Sequence, residues 1–211
     1  MSKLAIDSET LKSVADAIRA KTGKSELMTA SQMAEEISGI QASGSGDVLL
    51  KSLIDRSISY IESDVTIVGT YCFGMCSYLN RAIFPEATQF KSGAFIACES
   101  LKELVAPKVQ VLDTYALSGC GSLERLDFEN LTQISSQALS YTVKLTTLII
   151  RTPTVCTLDA EDAFEYSAIA SGTGYIYVPR EVADLYKMDM SWSSYSDRVR
   201  AIEEYPDIVS A

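Results

Sequence analysis

The 211-residue sequence contains no histidine, and this absence limits its chemistry. Histidine is the commonest general base near neutral pH and the commonest metal ligand, so a catalytic triad or a zinc site would need substitutes. Cys72 and Cys76 lie close together, but no second cysteine pair with metal-finger spacing follows them. Residues 171–174 are glycine-rich, yet they lack the lysine and the strand-to-helix context of a phosphate-binding loop. We therefore predict no catalytic residues, no metal site and no cofactor.

Basic residues are also few, since 18 Lys and Arg stand against 28 Asp and Glu and leave a net charge of -10. Such a charge repels phosphate backbones and anionic lipid headgroups, so we expect neither nucleic acid nor a membrane surface as a partner. No apolar run approaches the ~18 to 20 residues that span a bilayer, and residues 1–9 lack the apolar core of a signal peptide. Five cysteines without an export signal favour reduced thiols over a disulfide framework.

The beginning of the chain predicts a helical hairpin. Apolar residues recur at helical spacing between residues 11 and 18, ahead of Gly23, which is a typical C-terminal stop. A capping box that joins Thr29 and Gln32 opens a second helix. The Gly/Ser stretch that follows has a flexible composition and no side chain large enough to pack, so it predicts a boundary between modules.

From residue 68 onward the sequence repeats with a period of about 22 residues. One such coil cannot bury its own apolar face, so successive coils must stack and their strand segments must pair into a continuous parallel sheet. The same period explains the cysteines at 76, 98 and 120 as a buried ladder of thiols. Phe164 marks a degenerate fifth repeat. Four apolar columns result: Phe73, Phe95, Leu117 and Leu139; Leu79, Leu101, Leu123 and Leu145; Ala82, Leu104, Leu126 and Leu148; and Phe90, Leu112, Ile134 and Cys156.

After the repeats, residues 175–179 predict a last strand and residues 181–187 a helix. The predicted fold class is an α+β repeat solenoid with parallel strands, preceded by a small N-terminal helical hairpin and closed by a C-terminal capping strand and helix. The predicted boundaries are 1–42 for the hairpin module, 43–47 for the linker, 48–174 for the solenoid and 175–211 for the cap.

The residues on either side of the third column predict a binding surface. Side chains alternate along a strand, so these residues point outward. They are Arg81, Ile83, Glu103, Val105, Arg125, Asp127, Thr147 and Ile149. Ile83, Val105 and Ile149 would form an exposed apolar strip, which often marks an interface. Two interpretations stay open: the strip docks a partner or a second copy, or the flanking segments of the chain cover it.

Two further groups of side chains leave a functional and a structural interpretation open. Tyrosines at 71, 78, 115 and 141 lie near the coil turns; tyrosine is favoured at interfaces, but β-structure also favours it. Glu161, Asp162 and Glu165 could act as the paired carboxylates of a glycosidase. No spacing rule singles these three out, and solvated surface charge around the degenerate repeat is the interpretation we favour.

The pattern Ala-Phe-x-x-Cys-x-x-Leu at residues 94–101 resembles the BspA-like leucine-rich repeats of bacterial surface proteins and of many phage-encoded proteins, over roughly residues 58–165. Residues 175–179, together with Tyr186 and residues 192–196, look like the usual C-terminus of prophage members. Residues 11–23 and 33–37 are similar to the N-terminal helical module of tail-region proteins from phages of Gram-positive bacteria. The late coils depart from the pattern at Asp127, Thr142 and Arg151.

This resemblance implies a phage or prophage tail-associated structural or host-recognition protein that acts as a non-catalytic binding scaffold. Its partners would be proteins of the phage tail or a host cell-surface receptor, and it would form a homo-oligomer, with a trimer favoured. It would be made in the bacterial cytoplasm, without a signal peptide, and reside in the virion. A bacterial adhesin-type interaction module and a glycan-cleaving tail enzyme are the alternatives. The candidate partner-binding residues are Arg81, Ile83, Glu103, Val105, Arg125, Asp127 and Ile149.

Overall fold

A computed structural model describes residue 56 and residues 58–209, and every structural statement below concerns these residues. The predicted hairpin, the linker and the first residues of the predicted solenoid segment lie outside them. The strands are β1 (Tyr60–Glu62), β2 (Ile67–Val68), β3 (Arg81–Ile83), β4 (Gln89–Phe90), β5 (Glu103–Val105), β6 (Val111–Leu112), β7 (Arg125–Phe128), β8 (Gln133–Ile134), β9 (Thr147–Ile150), β10 (Thr157–Leu158), β11 (Tyr175–Val178) and β12 (Val199–Ala201). The helices are α1 (Ala168–Ser171), α2 (Arg180–Met188) and α3 (Pro206–Val209), with 3-10 segments at Glu161–Phe164, Met190–Arg198 and Ile202–Glu204.

The strands alternate between two sides of a solenoid, and all of their pairings are parallel. One side carries the orders β1-β3-β5 and β12-β11-β9-β7, and the other carries β10-β8-β6-β4-β2. Equivalent residues of successive coils lie opposite each other, as Ala82 does with Leu104 and Phe90 with Leu112. The predicted fold class, a parallel-strand repeat solenoid, is confirmed.

A third side of the solenoid is a turn that repeats its hydrogen bonds from coil to coil. The N–H of Phe73 donates to the carbonyl of Ala94 at 2.8 Å, and the N–H of Met75 donates to Ile96 of the same neighbouring coil. Met75 has a left-handed backbone, with φ of 60°. This conformation costs a non-glycine residue about 1–2 kcal/mol, and here it turns alternate N–H groups along the solenoid axis. The turn therefore adds a backbone ladder to the two formed by the strands.

The apolar columns form the core that the repeat predicts. Phe73 and Phe95 are fully buried, and their rings stack with centroids 5.2 Å apart. The cysteines at 76, 98 and 120 are also fully buried, and the thiol of Cys98 donates to the carbonyl of Phe73 at 3.1 Å. The predicted thiol ladder is thus present. In the fourth coil Thr142 takes the cysteine position and is also buried, but its hydroxyl donates within its own coil, to the carbonyl of Leu139 at 2.7 Å, whereas the thiol of Cys98 reaches the preceding coil.

The fourth column ends on a different residue from the one that the period predicts. Leu158 lies opposite Ile134 in the β8–β10 pair, so the prediction of Cys156 for this place is wrong. The chain between β9 and β10 bends at Pro153 and Thr154 and contains two residues more than the period allows. A fixed period of 22 therefore fails at the last coil.

The C-terminal cap docks on the end of the solenoid through Cys156. Its backbone N–H donates to the hydroxyl of Tyr186 at 2.8 Å, and its carbonyl accepts from the indole N–H of Trp192 at 2.7 Å. Both aromatic side chains are fully buried. The predicted strand and helix are confirmed as β11 and α2, and β12 adds a strand that the sequence did not indicate. Among the helices of the described residues, none is long and apolar enough to cross a bilayer.

Candidate binding face

The side of the solenoid that carries β1, β3, β5, β7, β9, β11 and β12 presents the predicted outward residues, and we call it the sheet face. Alternation along these strands is as predicted, because Ala82 and Leu104 are buried while the residues on either side of each point outward. The register brings Ile83 beside Val105 and Arg81 beside Glu103. The predicted site residues of these two coils therefore lie together.

The N-terminal half of the sheet face is open. Val105 is 39% exposed beside the partly exposed Ile83, and the Arg81 Nε atom lies 2.9 Å from the Glu103 Oε2 atom. Strand β1 extends this half with the exposed Tyr60, whose ring centroid lies 6.0 Å from the Arg81 guanidinium carbon. The predicted columns began one coil too late to include β1.

The C-terminal half of the sheet face is covered by the chain itself. Ile149 has no exposed surface, so the prediction that it belongs to an exposed strip is wrong. The chain after β12 contacts residues on two sides of it: the ring of Tyr205 lies edge-on to Tyr177 at 5.4 Å, and the Arg125 guanidinium donates to the carbonyl of Ile208. For this half, the interpretation that a flanking segment covers the strip is confirmed.

A cleft divides the sheet face between β5 and β7. The two strands are neighbours, and the N–H of Glu129 donates to the carbonyl of Pro107 at 2.9 Å, but they share no strand ladder in the described part of the chain. The opening between them has a volume of about 670 Å³. Its lining comprises Lys102, Glu103, Leu104, Val105, Ala106, Pro107, Arg125, Asp127, Glu129 and Arg151.

Asp127 organises the charges of this cleft. Its carboxylate accepts two hydrogen bonds of 2.7 Å from the Nε and Nη2 atoms of Arg151, and one of 3.1 Å from Arg125. The hydrogen bonds to Asp127 raise the pKa of Arg151. Bidentate geometry fixes both side chains, although partial exposure keeps such pairs near 0–1 kcal/mol. Because acids and bases are balanced in the cleft, it suits a dipolar peptide surface better than a polyanion. Asp127 and Arg151 both replace apolar residues of the repeat pattern, and each neutralises the charge that the other introduces.

The carboxylates considered for glycan cleavage lie in and directly after the 3-10 segment Glu161–Phe164, on the turn side of the last coil and away from the sheet face. Asp162 accepts hydrogen bonds from the Ser136 hydroxyl at 3.0 Å and from the backbone N–H of Gln137 at 3.3 Å. In the other coils the equivalent N–H donates to a carbonyl of the next turn, so Asp162 completes the turn ladder. In the range 58–209 with residue 56, no group of three or more His, Cys, Asp or Glu side chains is placed to hold a metal ion.

The stacked coils, the parallel ladders and the solvent-facing sheet define a leucine-rich-repeat solenoid. The profile of the BspA type leucine rich repeat region matches residues 54–170 as six copies, and the chain belongs to this family. Its structure is similar to the crystal structure of a leucine-rich repeat protein from Bacteroides ovatus ATCC 8483, with a TM-score of 0.50 and 18% sequence identity. The match covers 67% of this chain and 34% of that one, so this chain spans about a third of that protein's length. None of the curated proteins matches the sequence. Leucine-rich-repeat modules mediate protein–protein interaction and are usually non-catalytic binding scaffolds.

Proposed function

We propose that this protein is a non-catalytic scaffold that docks a protein partner on the open half of its sheet face. The observation that carries the proposal is the exposure of Val105 beside Ile83, between the Arg81–Glu103 ion pair and the cleft. An apolar centre with a polar rim is the usual anatomy of a protein interface. The C-terminal half of the same face already packs against a peptide segment of this chain, which supports its suitability for protein.

For the biological setting we propose a phage or prophage tail. The resemblance of residues 11–23, 33–37 and 192–196 to tail-region and prophage proteins supports this setting. The partner is then another tail protein or a receptor on the host cell surface, the protein resides in the virion, and it is a homo-oligomer, for which the resemblance favours a trimer. A bacterial adhesin-type module is the second candidate, because it would use the same sheet face.

A cell-binding assay with the full chain tests host recognition. Fluorescently labelled protein is titrated onto a panel of Gram-positive bacterial cells, and the Val105→Asp variant is compared with Leu185→Asp, a matched change at an exposed apolar residue of α2. We expect Val105→Asp to weaken binding at least ~10-fold, which corresponds to about 1.4 kcal/mol, and Leu185→Asp to bind normally. Equal binding by both variants would place the contact elsewhere.

Two measurements separate the tail protein from its alternatives. Mass spectrometry of particles released by an induced lysogen that carries the gene should detect the chain, and its absence from particles that bear tails would argue against the virion setting. Hydrolysis of cell-wall glycans tests the enzyme alternative with Glu161→Gln and Glu165→Gln. Activity of the wild-type chain that disappears in either variant would overturn the non-catalytic scaffold.

A further inference from the structure

The backbone ladder of the sheet face is interrupted between β5 and β7, at the carbonyl of Lys102. At the equivalent place one coil earlier, the carbonyl of Asn80 accepts from the N–H of Lys102 at 2.9 Å. One coil later, the carbonyl of Glu124 accepts from the N–H of Thr146 at 3.1 Å. Within residues 58–209, no donor reaches the carbonyl of Lys102 itself, although this residue lines the cleft. An acceptor of the regular ladder is therefore left open at this junction.

A backbone donor at the other end of β5 is open as well. The N–H of Ser63 donates to the carbonyl of Ile83 at 3.0 Å, and the N–H of Phe84 donates in the same way to Val105 at 2.8 Å. The equivalent N–H of the next coil belongs to Ala106, which also lines the cleft, and it donates to no group in the described part of the chain. Ala106 is only 2% exposed, so bulk water has little access to this donor. Unsatisfied buried backbone groups are rare and require an explanation.

The two coils that meet at this junction are paired regularly on their other two sides. Strand β6 pairs with β8 in the register of the neighbouring coils. On the turn side, the N–H of Leu117 donates to the carbonyl of Ala138 at 2.8 Å, and the N–H of Gly119 donates to Ser140 at 2.9 Å. The cleft is therefore closed at the back and open on the sheet face. Its volume of about 670 Å³ lies within the range of ~300–1,000 Å³ that is typical of binding pockets.

The floor of the cleft is apolar, and its rim already contacts a peptide main chain. Leu104, which lines the cleft, is 8% exposed, whereas its equivalent Leu126 is 1% exposed. Val105 continues this apolar surface toward the open half of the sheet face. At the opposite rim, the guanidinium of Arg125 donates to the backbone carbonyl of Ile208. An apolar side chain with a main-chain N–H and carbonyl beside it therefore matches the cleft.

We propose, on the basis of the docking proposed for the sheet face, that the cleft receives an extended peptide segment of the partner protein. A main-chain N–H of this segment donates to Lys102, and a main-chain carbonyl three residues further along accepts from Ala106. Asn80 and Ile83 supply the same pair of groups to the residues that flank β1. A peptide main chain carries a donor and an acceptor on every residue except proline, whereas a polyanion carries acceptors alone. Addition of a strand to an open sheet edge is a recurrent mode of peptide recognition.

Amide hydrogen exchange of the full chain, resolved by residue with NMR, tests the open edge of β5. In the free protein, the N–H of Ala106 should exchange at least ~10-fold faster than its equivalent at Phe84, because the N–H of Phe84 is hydrogen-bonded. Equal protection of the two amides would overturn the proposal, whether the cleft is closed in solution or filled by this chain itself.

Peptide binding tests the occupant of the cleft. The probe is a positional-scanning library of acetylated and amidated hexapeptides, screened against the labelled full chain. At a free peptide concentration of 100 times the dissociation constant, the best binder should slow exchange at Ala106 about 100-fold and leave Phe84 unchanged. Methylation of the peptide N–H that pairs with Lys102 should weaken binding about 10-fold. No binder at millimolar concentration, or a binder that leaves exchange at Ala106 unchanged, would overturn the proposal.

Two aspartate variants locate the bound peptide. Val105→Asp places a carboxylate on the apolar surface beside the cleft and should weaken peptide binding at least ~10-fold. Leu185→Asp, at an exposed apolar residue of α2, should bind like the wild type. Peptide binding that Val105→Asp leaves unchanged would overturn the proposal, and thermal melts verify that both variants fold. Cell binding is measured separately, so weaker cell binding by Val105→Asp without protection of Ala106 would leave the sheet-face proposal standing and overturn this one.

Discussion

Removal of one hydroxyl group from Tyr186 tests whether the cap is locked on the solenoid as described. The Tyr186→Phe variant keeps the buried ring, which lies edge-on to Trp192 with centroids 5.0 Å apart. It deletes the acceptor of the buried N–H of Cys156, at present 2.8 Å from the hydroxyl. The N–H then remains in the interior without its partner, while the carbonyl of Cys156 still accepts from the indole N–H of Trp192.

An unsatisfied buried backbone donor costs about 1–3 kcal/mol. For a chain of this length, each kcal/mol lowers the melting temperature by about 2–4 °C, so we expect a decrease of roughly 2–12 °C at neutral pH. Urea unfolding followed by circular dichroism gives the free energy directly. Tyr78→Phe serves as the control, because Tyr78 is 65% exposed and its melting temperature should not change.

The pH dependence of the stability difference between wild type and Tyr186→Phe is a second test of the buried hydroxyl. Burial raises the pKa of Tyr186 above its ordinary value of 10.0. A group whose pKa is raised on folding contributes stability below its unfolded pKa and loses that contribution as the pH rises toward its folded pKa. Phenylalanine does not ionise, so the difference in stability between wild type and variant should narrow above pH 10. Equal stability of the two proteins at pH 7 would refute the docking of the cap on Cys156.

Three more predictions concern stability and are measured by urea unfolding. Gly174→Ala should destabilise the fold by about 1–3 kcal/mol, since its Cβ would lie 2.6 Å from the carbonyl oxygen of Leu145, whereas Gly69→Ala has open space and should be neutral. Phe95→Ala should cost about 3–5 kcal/mol because the ring fills the core, and Tyr78→Ala, at an exposed site, should cost less than about 1 kcal/mol. The free energy of unfolding of the wild type should fall as the pH rises above 9.0, because burial raises the pKa of the Cys120 and Cys156 thiols and only the unfolded chain then ionises. Each of these thiols should lower the free energy of unfolding by up to about 1.4 kcal/mol per pH unit. Equal destabilisation by Gly174→Ala and Gly69→Ala would contradict the close approach at Gly174. Unchanged stability of Phe95→Ala would contradict the burial of its ring, and stability that does not change between pH 9 and 10 would contradict the burial of the thiols.

Periodicity was sufficient to predict the core of the middle coils. Phe73, Phe95 and Leu117 lie in a row because identical coils present identical apolar positions, and a column of buried residues needs no information beyond the period. The prediction failed where the period changes, at Cys156, since insertions in a loop alter the spacing without altering the stacking. It also stopped short of Ile61 in β1, which the pairing with β3 places in the third column.

The candidate site was only partly predictable for a related reason. Alternation within a strand gave the outward direction of Val105 and Asp127, because that direction is a local property of extended backbone. Whether an outward residue is open to solvent is not local. Ile149 is buried, and a segment more than fifty residues further along the chain contacts Tyr177 and Arg125 on either side of it, a contact that no repeat pattern reports.

By itself, the sequence determined that this chain is a parallel solenoid, because a single coil with this apolar pattern has no way to bury its surface except against its neighbours. Only the tertiary structure decided which parts of its sheet face are open to solvent. The fold of the chain after β12 onto Tyr177 and Arg125 covers one half of the sheet face, and the missing ladder between β5 and β7 opens a charged cleft beside the other. The covering segment belongs to no repeat unit, and the gap falls between two strands that the repeat itself would pair, so neither feature follows from the local pattern of the sequence.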